Sequence, residues 1–521
     1  MSRTRRLVFG LLVTVLVLAG VEGSLRLTGV VDQGELLSPL LFQQLDGQPG
    51  ALPQRDGWAQ WHDGTWFRSQ LRGFRAITLG GSATAGDGVT PFASFSHQLQ
   101  RLAVRADPSR PAEVINMGRG GVGSRQVVRL LEEGLAAFQP QVAIVYSGNN
   151  EFHELRALEH ASPAYSANLE VTRRRLHTLH TYRALQHLLG RDRLAPFEPL
   201  GRDAPPVHEL PTTADAQDRE LARKLYAENL RRMAQLAREV GVPLILATVG
   251  DNRAGWVDAP PQRSLTAREE QLLAEIDGLR ARRERGAVLA LAEQAWPDLH
   301  DERAFYRVGR ALLELGLLDQ ARRFLDQAEL VMARPNRSSI ELRAALREVA
   351  HDEGVILCEV ADGLDARSAQ GIAGNALFVD ACHPSPEGHA HIAAMLAACA
   401  ERAGLLTTGG ASSWEAPLDR DPWRLDHHAE RLQTTLDNDT GAPAMAAVQA
   451  GHAAFTSGDH ALAWEHYARA LELGGPSDAL LLDQALVRWH QGRSDDVEAL
   501  LSSLAPAEDP EIENWKSLLT R

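Results

Sequence analysis

A serine, a histidine and an aspartate in this chain have the types and surroundings needed for nucleophilic chemistry at a carbonyl carbon. Ser82 follows a short apolar run and two glycines, which allow a tight backbone turn. Asp380 lies three residues before His383, in a loop that prolines constrain. A serine hydroxyl needs a hydrogen-bonded base at neutral pH, imidazole has a suitable pKa, and a carboxylate can orient the imidazole. These three residues are therefore candidate catalytic groups, although a Gly-Gly-Ser sequence alone is commonly just a turn.

Three other turns carry polar groups that could contact a substrate. The first, 116–124, contains four glycines, whose backbone N–H groups could approach a ligand closely. The second, 147–152, contains two neighbouring asparagines. The third contains Asn252, which could contact a substrate, although an asparagine in a turn commonly has only a local role.

Short apolar runs alternate with segments of helical periodicity between residues 74 and 400. The predicted strands are 75–79, 113–115, 142–146, 243–248 and 355–360. The predicted helices are 94–104, 124–137, 216–240 and 337–352. Continuous apolar strands that alternate with helices indicate a parallel sheet covered on both faces. Because sites in such sheets gather at the carboxyl ends of the strands, the polar turns are expected to meet there.

In this order, the blocks resemble those of the SGNH (GDSL-type) hydrolase superfamily. The resemblance covers about 74–155, 243–252 and 337–400, and Gly-Gly-Ser-Ala stands in place of the more usual Gly-Asp-Ser-Leu. It implies an α/β fold, a three-layer parallel-sheet hydrolase-like domain. It also implies that Ser82 is the nucleophile and that Asp380 and His383 form its Asp-x-x-His pair.

The resemblance further implies an oxyanion hole. The Asn-x-Gly-x-x-Gly block makes Gly121 the candidate backbone donor. The Gly-x-Asn-Asp block of the family appears here as Gly148-Asn149-Asn150-Glu151. Alignment on Gly148 makes Asn150 the side-chain donor, and a shift of one residue would make it Asn149. The sequence leaves this choice open.

A helical repeat pattern interrupts and follows this domain. The interval between the strands at 243–248 and 355–360 is too long for one crossover connection. Small residues and glycines in it recur at the same offsets near the C-terminus, where Gly458 and Gly492 are 34 residues apart. This period resembles that of tetratricopeptide repeats. The combination is similar to a subgroup of membrane-anchored SGNH proteins with tetratricopeptide-like insertions.

The predicted organisation has seven segments. They are a membrane anchor or signal segment (1–30), an irregular juxtamembrane segment (31–72), the first part of the hydrolase-like domain (73–254), inserted tetratricopeptide-like helices (255–335), the second part of the domain (336–404), a linker (405–440) and C-terminal repeats (441–521).

The N-terminus combines an arginine-rich start with the apolar run 7–21. This pattern predicts a single membrane span with the bulk of the chain outside the cytoplasm, in the periplasm or beyond the cell. The run has 15 residues, whereas a span needs about 20. A cleaved signal peptide followed by secretion is therefore the alternative.

Composition narrows the classes of partner and cofactor. The 521 residues carry a formal net charge of −14, and no long basic block is present, which argues against nucleic acid as a partner. Three cysteines without CxxC spacing predict no structural zinc. A metal site at Cys382, His383, His389 and His391 is disfavoured because the last two do not share a helix face. We expect no metal and no cofactor.

We therefore expect a serine esterase or acylhydrolase of the cell envelope that cleaves an ester-bearing small molecule, lipid or glycan. One alternative is an O-acyltransferase that acts on an envelope glycan, since both reactions use the same triad. Another is a non-catalytic envelope scaffold that binds a protein partner through its helical repeats. The N-terminal segment would supply the contact with the membrane.

Overall fold

The centre of the computed structural model is a sheet of five parallel strands in the order β4-β3-β5-β6-β7. The strands of the chain are β1 (Trp58–Gln60), β2 (Trp66–Arg68), β3 (Phe74–Gly80), β4 (Ala112–Asn116), β5 (Val142–Tyr146), β6 (Leu244–Ala247) and β7 (Ile356–Cys358). The five strands of the sheet lie at the five predicted strand segments. Strands β3, β5 and β6 are buried along their whole length, as their continuous apolar character predicts. The parallel α/β class is therefore confirmed.

The helices fill the intervals between the strands and form groups of their own elsewhere. They are α1 (Arg3–Thr28), α2 (Ser82–Ala85), α3 (Phe95–Ala106), α4 (Ser124–Phe138), α5 (Glu151–Ala161), α6 (His180–Leu188), α7 (Ala216–Glu239), α8 (Ala267–Ala281), α9 (Arg285–Ala295), α10 (Glu302–Glu314), α11 (Leu318–Val331), α12 (Ile340–Glu353), α13 (Val360–Arg367), α14 (Pro386–Arg402), α15 (His460–Gly474), α16 (Asp478–His490) and α17 (Ser494–Ser502). A 3-10 turn, Trp296–Asp298, follows α9.

The structure describes the chain in several ranges. They are residues 3–28, 58–60, 66–68, 73–87, 89, 93–107, 110, 112–161, 176, 179–188, 214–255, 265–333, 335–406, 447, 450–451, 454–455, 459–474 and 478–503. The chain divides into two compact units, Met1–Gly50 with Leu155–Pro211 and Ala51–Glu154 with Thr212–Arg521. The predicted linker 405–440 lies almost wholly outside the described residues, and the predicted domain boundaries remain predictions.

Helices cover the sheet on both faces because successive side chains of a strand point to opposite sides. On one face, the ring of Phe95 in α3 lies 5.4 Å from that of Tyr146 in β5, and α14 packs against α3. On the other face, Gly134 of α4 packs against Ile77 of β3, and α4 in turn packs against α7. A disulfide joins Cys358 at the end of β7 to Cys399 in α14. Its pairing could not be deduced from the sequence.

The predicted insertion is helical. Helices α8 to α11 share a buried core that includes Phe305, Val308 and Phe324, and α10 packs tightly on α11 where Gly309 meets Leu325. Gly316, with a φ of 71°, lies in the turn between these two helices, where a left-handed conformation favours glycine. That the helices are tetratricopeptide-like remains a prediction.

The C-terminal helices α15, α16 and α17 also pack against one another. Tyr467 and Ala463 are fully buried between them, and Gly451 makes room for the Tyr467 ring. Gly492, with a φ of 71°, begins the turn between α16 and α17. These contacts show a helical unit, and its assignment to a repeat family remains a prediction.

The N-terminal helix corrects the prediction of a membrane span. Helix α1 forms, but in the described parts of the chain no helix is both long and apolar enough to cross a membrane. The physical reason is that Glu22 and Arg26 end the apolar run 7–21 within this helix. Glu22 instead accepts hydrogen bonds from the backbone N–H groups of His180 and Thr181, at 3.0 and 2.8 Å. The predicted single N-terminal span, on which the predicted location rested, is therefore wrong.

The described residues of the segment predicted to be irregular, 31–72, form a strand pair that the sequence analysis missed. Strands β1 and β2 pair as a short antiparallel ladder, with Trp58 opposite Arg68 and Gln60 opposite Trp66. Three-residue strands are too short for a recognisable alternation of apolar and polar residues.

Candidate active site

Ser82 lies in a sharp turn at the carboxyl end of strand β3, which lies between β4 and β5 in the sheet. A side chain on Gly80 would place its Cβ 2.1 Å from both the Thr84 hydroxyl and the carbonyl oxygen of Tyr146. Only glycine therefore allows this close approach between β3, β5 and α2. Ser82 is the first residue of α2 and is 9% exposed, so the turn presents its hydroxyl at the edge of the sheet.

His383 reaches Ser82 from a loop about three hundred residues later in the chain. Its Nε2 lies 2.7 Å from Ser82 Oγ, and its Nδ1 lies 2.6 Å from Asp380 Oδ2. The loop is closed by a short bridge between Phe378 and Pro384, in which the N–H of Val379 donates to the His383 carbonyl at 2.9 Å. The structure thus joins three predicted site residues in one hydrogen-bonded chain.

The Asp380 carboxylate is held by backbone groups as well as by the imidazole. Its Oδ1 accepts hydrogen bonds from the N–H groups of Cys382 and His383, at 2.9 and 2.8 Å. Burial alone would raise the pKa of Asp380, but these donors and the imidazole outweigh burial and lower it. Asp380 is therefore ionised at neutral pH.

The hydrogen bond between Asp380 and His383, which lowers the pKa of the aspartate, raises the pKa of the histidine. Burial disfavours the charged imidazole, but the hydrogen bond to Asp380 and the nearby Cys382 thiol outweigh burial and raise the pKa of His383. The thiol sulfur of Cys382 lies 3.9 Å from Nδ1. The Asp380 contact thus strengthens the basicity of His383.

The glycine-rich turn packs directly against the Ser82 turn. A Cβ on Gly118 would lie 2.2 Å from the backbone nitrogen of Ala85, so this glycine permits backbone contact with α2. A hydrogen bond joins the two turns, because the Asn116 side-chain amide donates to the Ala85 carbonyl at 3.1 Å. Gly121 adopts a φ of 74°, a left-handed conformation that favours glycine, and space is open around it.

The two neighbouring asparagines have different surroundings. The Asn150 amide nitrogen lies 2.9 Å from the position that a Cβ on Gly81 would occupy, directly beside the Ser82 turn, and donates to the Val122 carbonyl at 3.0 Å. Asn149 is buried, and its amide oxygen accepts from the backbone N–H of Ser338 at 2.9 Å. Asn149 thus has a structural partner in the loop before α12, whereas Asn150 lies at the candidate site.

Asn252 lies behind the Asp380 loop and is 1% exposed. The expectation that it could contact a substrate is not supported, because its side chain is enclosed by protein. Its amide donates to the Asp380 carbonyl oxygen at 2.9 Å.

Asp87 is a polar group at the site that the sequence analysis did not single out. Its carboxyl oxygen lies 3.3 Å from the position of a Cβ on Gly120, so it faces the glycine-rich turn. Burial raises the pKa of Asp87, the charge of His383 opposes this effect, and Asp380 reinforces it. The sequence signal that could have identified Asp87 is its position five residues after Ser82.

His389 and His391, which the sequence analysis considered as metal ligands, have different contacts from each other in the structure. His389 is fully buried, and its Nδ1 accepts from the Phe95 backbone N–H at 3.1 Å, whereas His391 pairs with Glu387. In the described ranges, a potential metal-ligating group is Asp380, Cys382 and His383, whose ligand atoms lie within 4.8 Å of one another. Two of these three residues are already hydrogen-bonded to each other, so an ion would have to break the contact between them.

Comparisons with known proteins found structural neighbours only. No family model and no curated protein matches the chain. It is similar to LAE5, an alpha/beta hydrolase from the metagenome of Lake Arreo, Spain, at 12% identity and a TM-score of 0.30, over 64% of this chain and 97% of that one.

Two other neighbours have the same level of similarity. A catalytic mutant of Axe2, an acetylxylan esterase from Geobacillus stearothermophilus, has 13% identity and a TM-score of 0.30, over 64% of this chain and 95% of that one. A candidate GDSL-like lipase from Parabacteroides merdae has 12% identity and a TM-score of 0.30, over 65% of this chain and 99% of that one. At this level the likenesses carry no inference about chemistry, which rests on the geometry of the site.

Proposed function

We propose that this chain is a serine esterase or acylhydrolase of the SGNH type. The observation that carries the proposal is the hydrogen-bonded chain from Ser82 Oγ through the His383 imidazole to the Asp380 carboxylate, with heavy-atom distances of 2.7 and 2.6 Å. Both lie in the range that proton transfer requires. The order of the sequence blocks supports the same assignment.

The proposed reaction begins when His383 Nε2 takes the proton of Ser82 as Oγ bonds to the ester carbonyl carbon. The carbonyl electron pair moves onto oxygen and forms a tetrahedral intermediate. This intermediate collapses when His383 gives the proton to the leaving alkoxide, which leaves an acyl-serine. His383 then deprotonates a water molecule, which attacks the acyl carbon; the bond from this carbon to Ser82 Oγ breaks, His383 returns the proton to Oγ, and the acid is released. Asp380 fixes the imidazole and stabilises its charged form throughout.

Gly121 and Asn150 are the proposed oxyanion donors. The support for Gly121 is its left-handed conformation in a turn that packs on α2. The support for Asn150 is its position beside Gly81, one residue from the nucleophile. Donors fixed before the reaction stabilise the developing charge without reorganising when it forms.

Active-site labelling tests the proposal without knowledge of the substrate. A fluorophosphonate probe should react with the native full-length chain, and peptide mapping should find the adduct on Ser82. Heat-denatured protein and His383→Gln should label much more slowly. Absence of labelling, or an adduct on another serine, would contradict the assignment.

Replacing Asn150 with alanine should lower kcat for a short-chain aryl ester by about 10² to 10³-fold, because one oxyanion donor is lost. KM should change much less, since the donor acts on charge that develops after binding. The matched control is Asn149→Ala, which removes a buried amide bonded to Ser338 and should lower thermal stability with little effect on kcat. Equal losses of kcat in the two variants would contradict the role of Asn150.

A further inference from the structure

We infer that Asn252 is a positioning residue that holds the Asp380–His383 loop in its working geometry. The inference rests on the proposed function and gives Asn252 a role different from substrate contact. Asn252 Nδ2 donates to the Asp380 carbonyl oxygen at 2.9 Å, and its backbone N–H donates to the Ala381 carbonyl oxygen at 3.0 Å. One residue thus fixes two successive peptide groups of the loop.

The other polar atoms of Asn252 are also occupied. Its Nδ2 donates to Asn375 Oδ1 at 2.9 Å, and its Oδ1 accepts from the Gly255 N–H at 2.9 Å. Its backbone carbonyl accepts from Arg337 at 3.2 Å. Because the side chain is 1% exposed, water cannot readily replace these partners. The amide is therefore fixed in one orientation.

The neighbours of Asn252 are anchored by buried charges. Asp251 accepts from Arg343 at 3.1 Å, and Arg343 also binds Glu329 of the inserted helix α11 at 2.9 Å. Arg253 pairs with Asp326 of α11 at 2.8 Å and with Asp365 of α13. Because breaking a buried pair leaves an uncompensated charge, these contacts resist displacement. The inserted helices thus support the turn that supports Asp380.

The consequence for the site follows from the geometry of Asp380. Its Oδ2 must stay within hydrogen-bonding distance of His383 Nδ1, and the backbone that carries it is held from behind by Asn252. Loss of the amide would let the loop relax and weaken this contact. A misplacement of about 1 Å at a reacting group can cost about 10²-fold in rate.

The test compares Asn252→Ala and Asn252→Asp with the wild type in the full-length chain. Asparagine and aspartate have the same shape, but aspartate lacks both N–H donors and keeps an acceptor for Gly255. We expect kcat for an aryl ester to fall about 10- to 100-fold in both variants, with a smaller change in KM. Asn149→Ala, which loses another buried amide, is the control for a purely structural loss.

A second readout separates positioning from stability and does not require turnover. The pKa of His383, followed by NMR of histidine-labelled protein and assigned with His383→Gln, should fall in Asn252→Ala, which adds no charge near the imidazole, and stay unchanged in Asn149→Ala. The other groups near this imidazole, Asp87 and Cys382, are the same in all of these proteins. An unchanged pKa of His383 would overturn the inference even if kcat fell. A wild type that shows the raised pKa but no hydrolysis would instead count against the proposed esterase.

Discussion

Ser82→Ala is expected to lower kcat for ester hydrolysis by about 10⁶-fold, the loss typical when the nucleophile of a serine triad is removed. The reason is that the methyl group of alanine cannot form the acyl-enzyme, and His383 then has no hydroxyl to deprotonate. A residual rate above that in water should remain, because the proposed oxyanion donors still bind the carbonyl oxygen. Initial rates on a short-chain aryl ester, with p-nitrophenol release followed by absorbance, measure the effect.

A second serine provides the control for this experiment. Ser368 is half-buried, and its hydroxyl donates to the Leu364 carbonyl at 2.9 Å rather than to any residue of the candidate triad. Ser368→Ala should keep wild-type kcat. Turnover by Ser82→Ala at the wild-type rate would end the proposal of a serine nucleophile.

Asp380→Asn should lower kcat/KM by about 10⁴-fold, the size of effect expected when the carboxylate of a triad becomes an amide. An amide cannot stabilise the imidazolium that forms during attack, and its N–H group favours the wrong tautomer of His383. Asp352→Asn is a matched control, because Asp352 also lies beside a histidine, His351 at 3.3 Å, but on the exposed surface. That control should retain wild-type activity.

The same variant should change the pH dependence in a defined direction. The base must be neutral to accept the serine proton, so kcat/KM rises with pH through the pKa of His383. Because the Asp380 contact raises this pKa, the wild-type rise should occur above pH 6.5, the ordinary pKa of a histidine side chain. Asp380→Asn removes the cause, so its rise should move to lower pH. A shift to higher pH would contradict the role assigned to Asp380.

The sheet and the order of the site blocks were predictable because each depends on local sequence. Strand β5 is a continuous apolar run, which indicates a strand buried on both faces wherever it lies in the sheet. The turns after β3 and β4 are rich in glycine because backbones meet there, as at Gly80 and Gly118. The parallel topology then brings these turns to the same edge. His383 followed from its spacing to Asp380.

Features that depend on contacts distant in sequence were not predictable. Asn149 and Asn150 have the same side chain, and only their partners, Ser338 and the Ser82 turn, distinguish them. The role inferred here for Asn252 depends on a loop more than a hundred residues away. The N-terminal prediction failed because an apolar run was given more weight than Glu22, which ends it.

The disulfide between Cys358 and Cys399 closes a covalent ring of chain across 41 residues. Asp380 and His383 both lie inside this ring, and Ser82 lies outside it. A protease cut at one peptide bond between the two cysteines would therefore leave both fragments linked in a single molecule. Release of either fragment from a nicked chain would require a reductant as well as the protease.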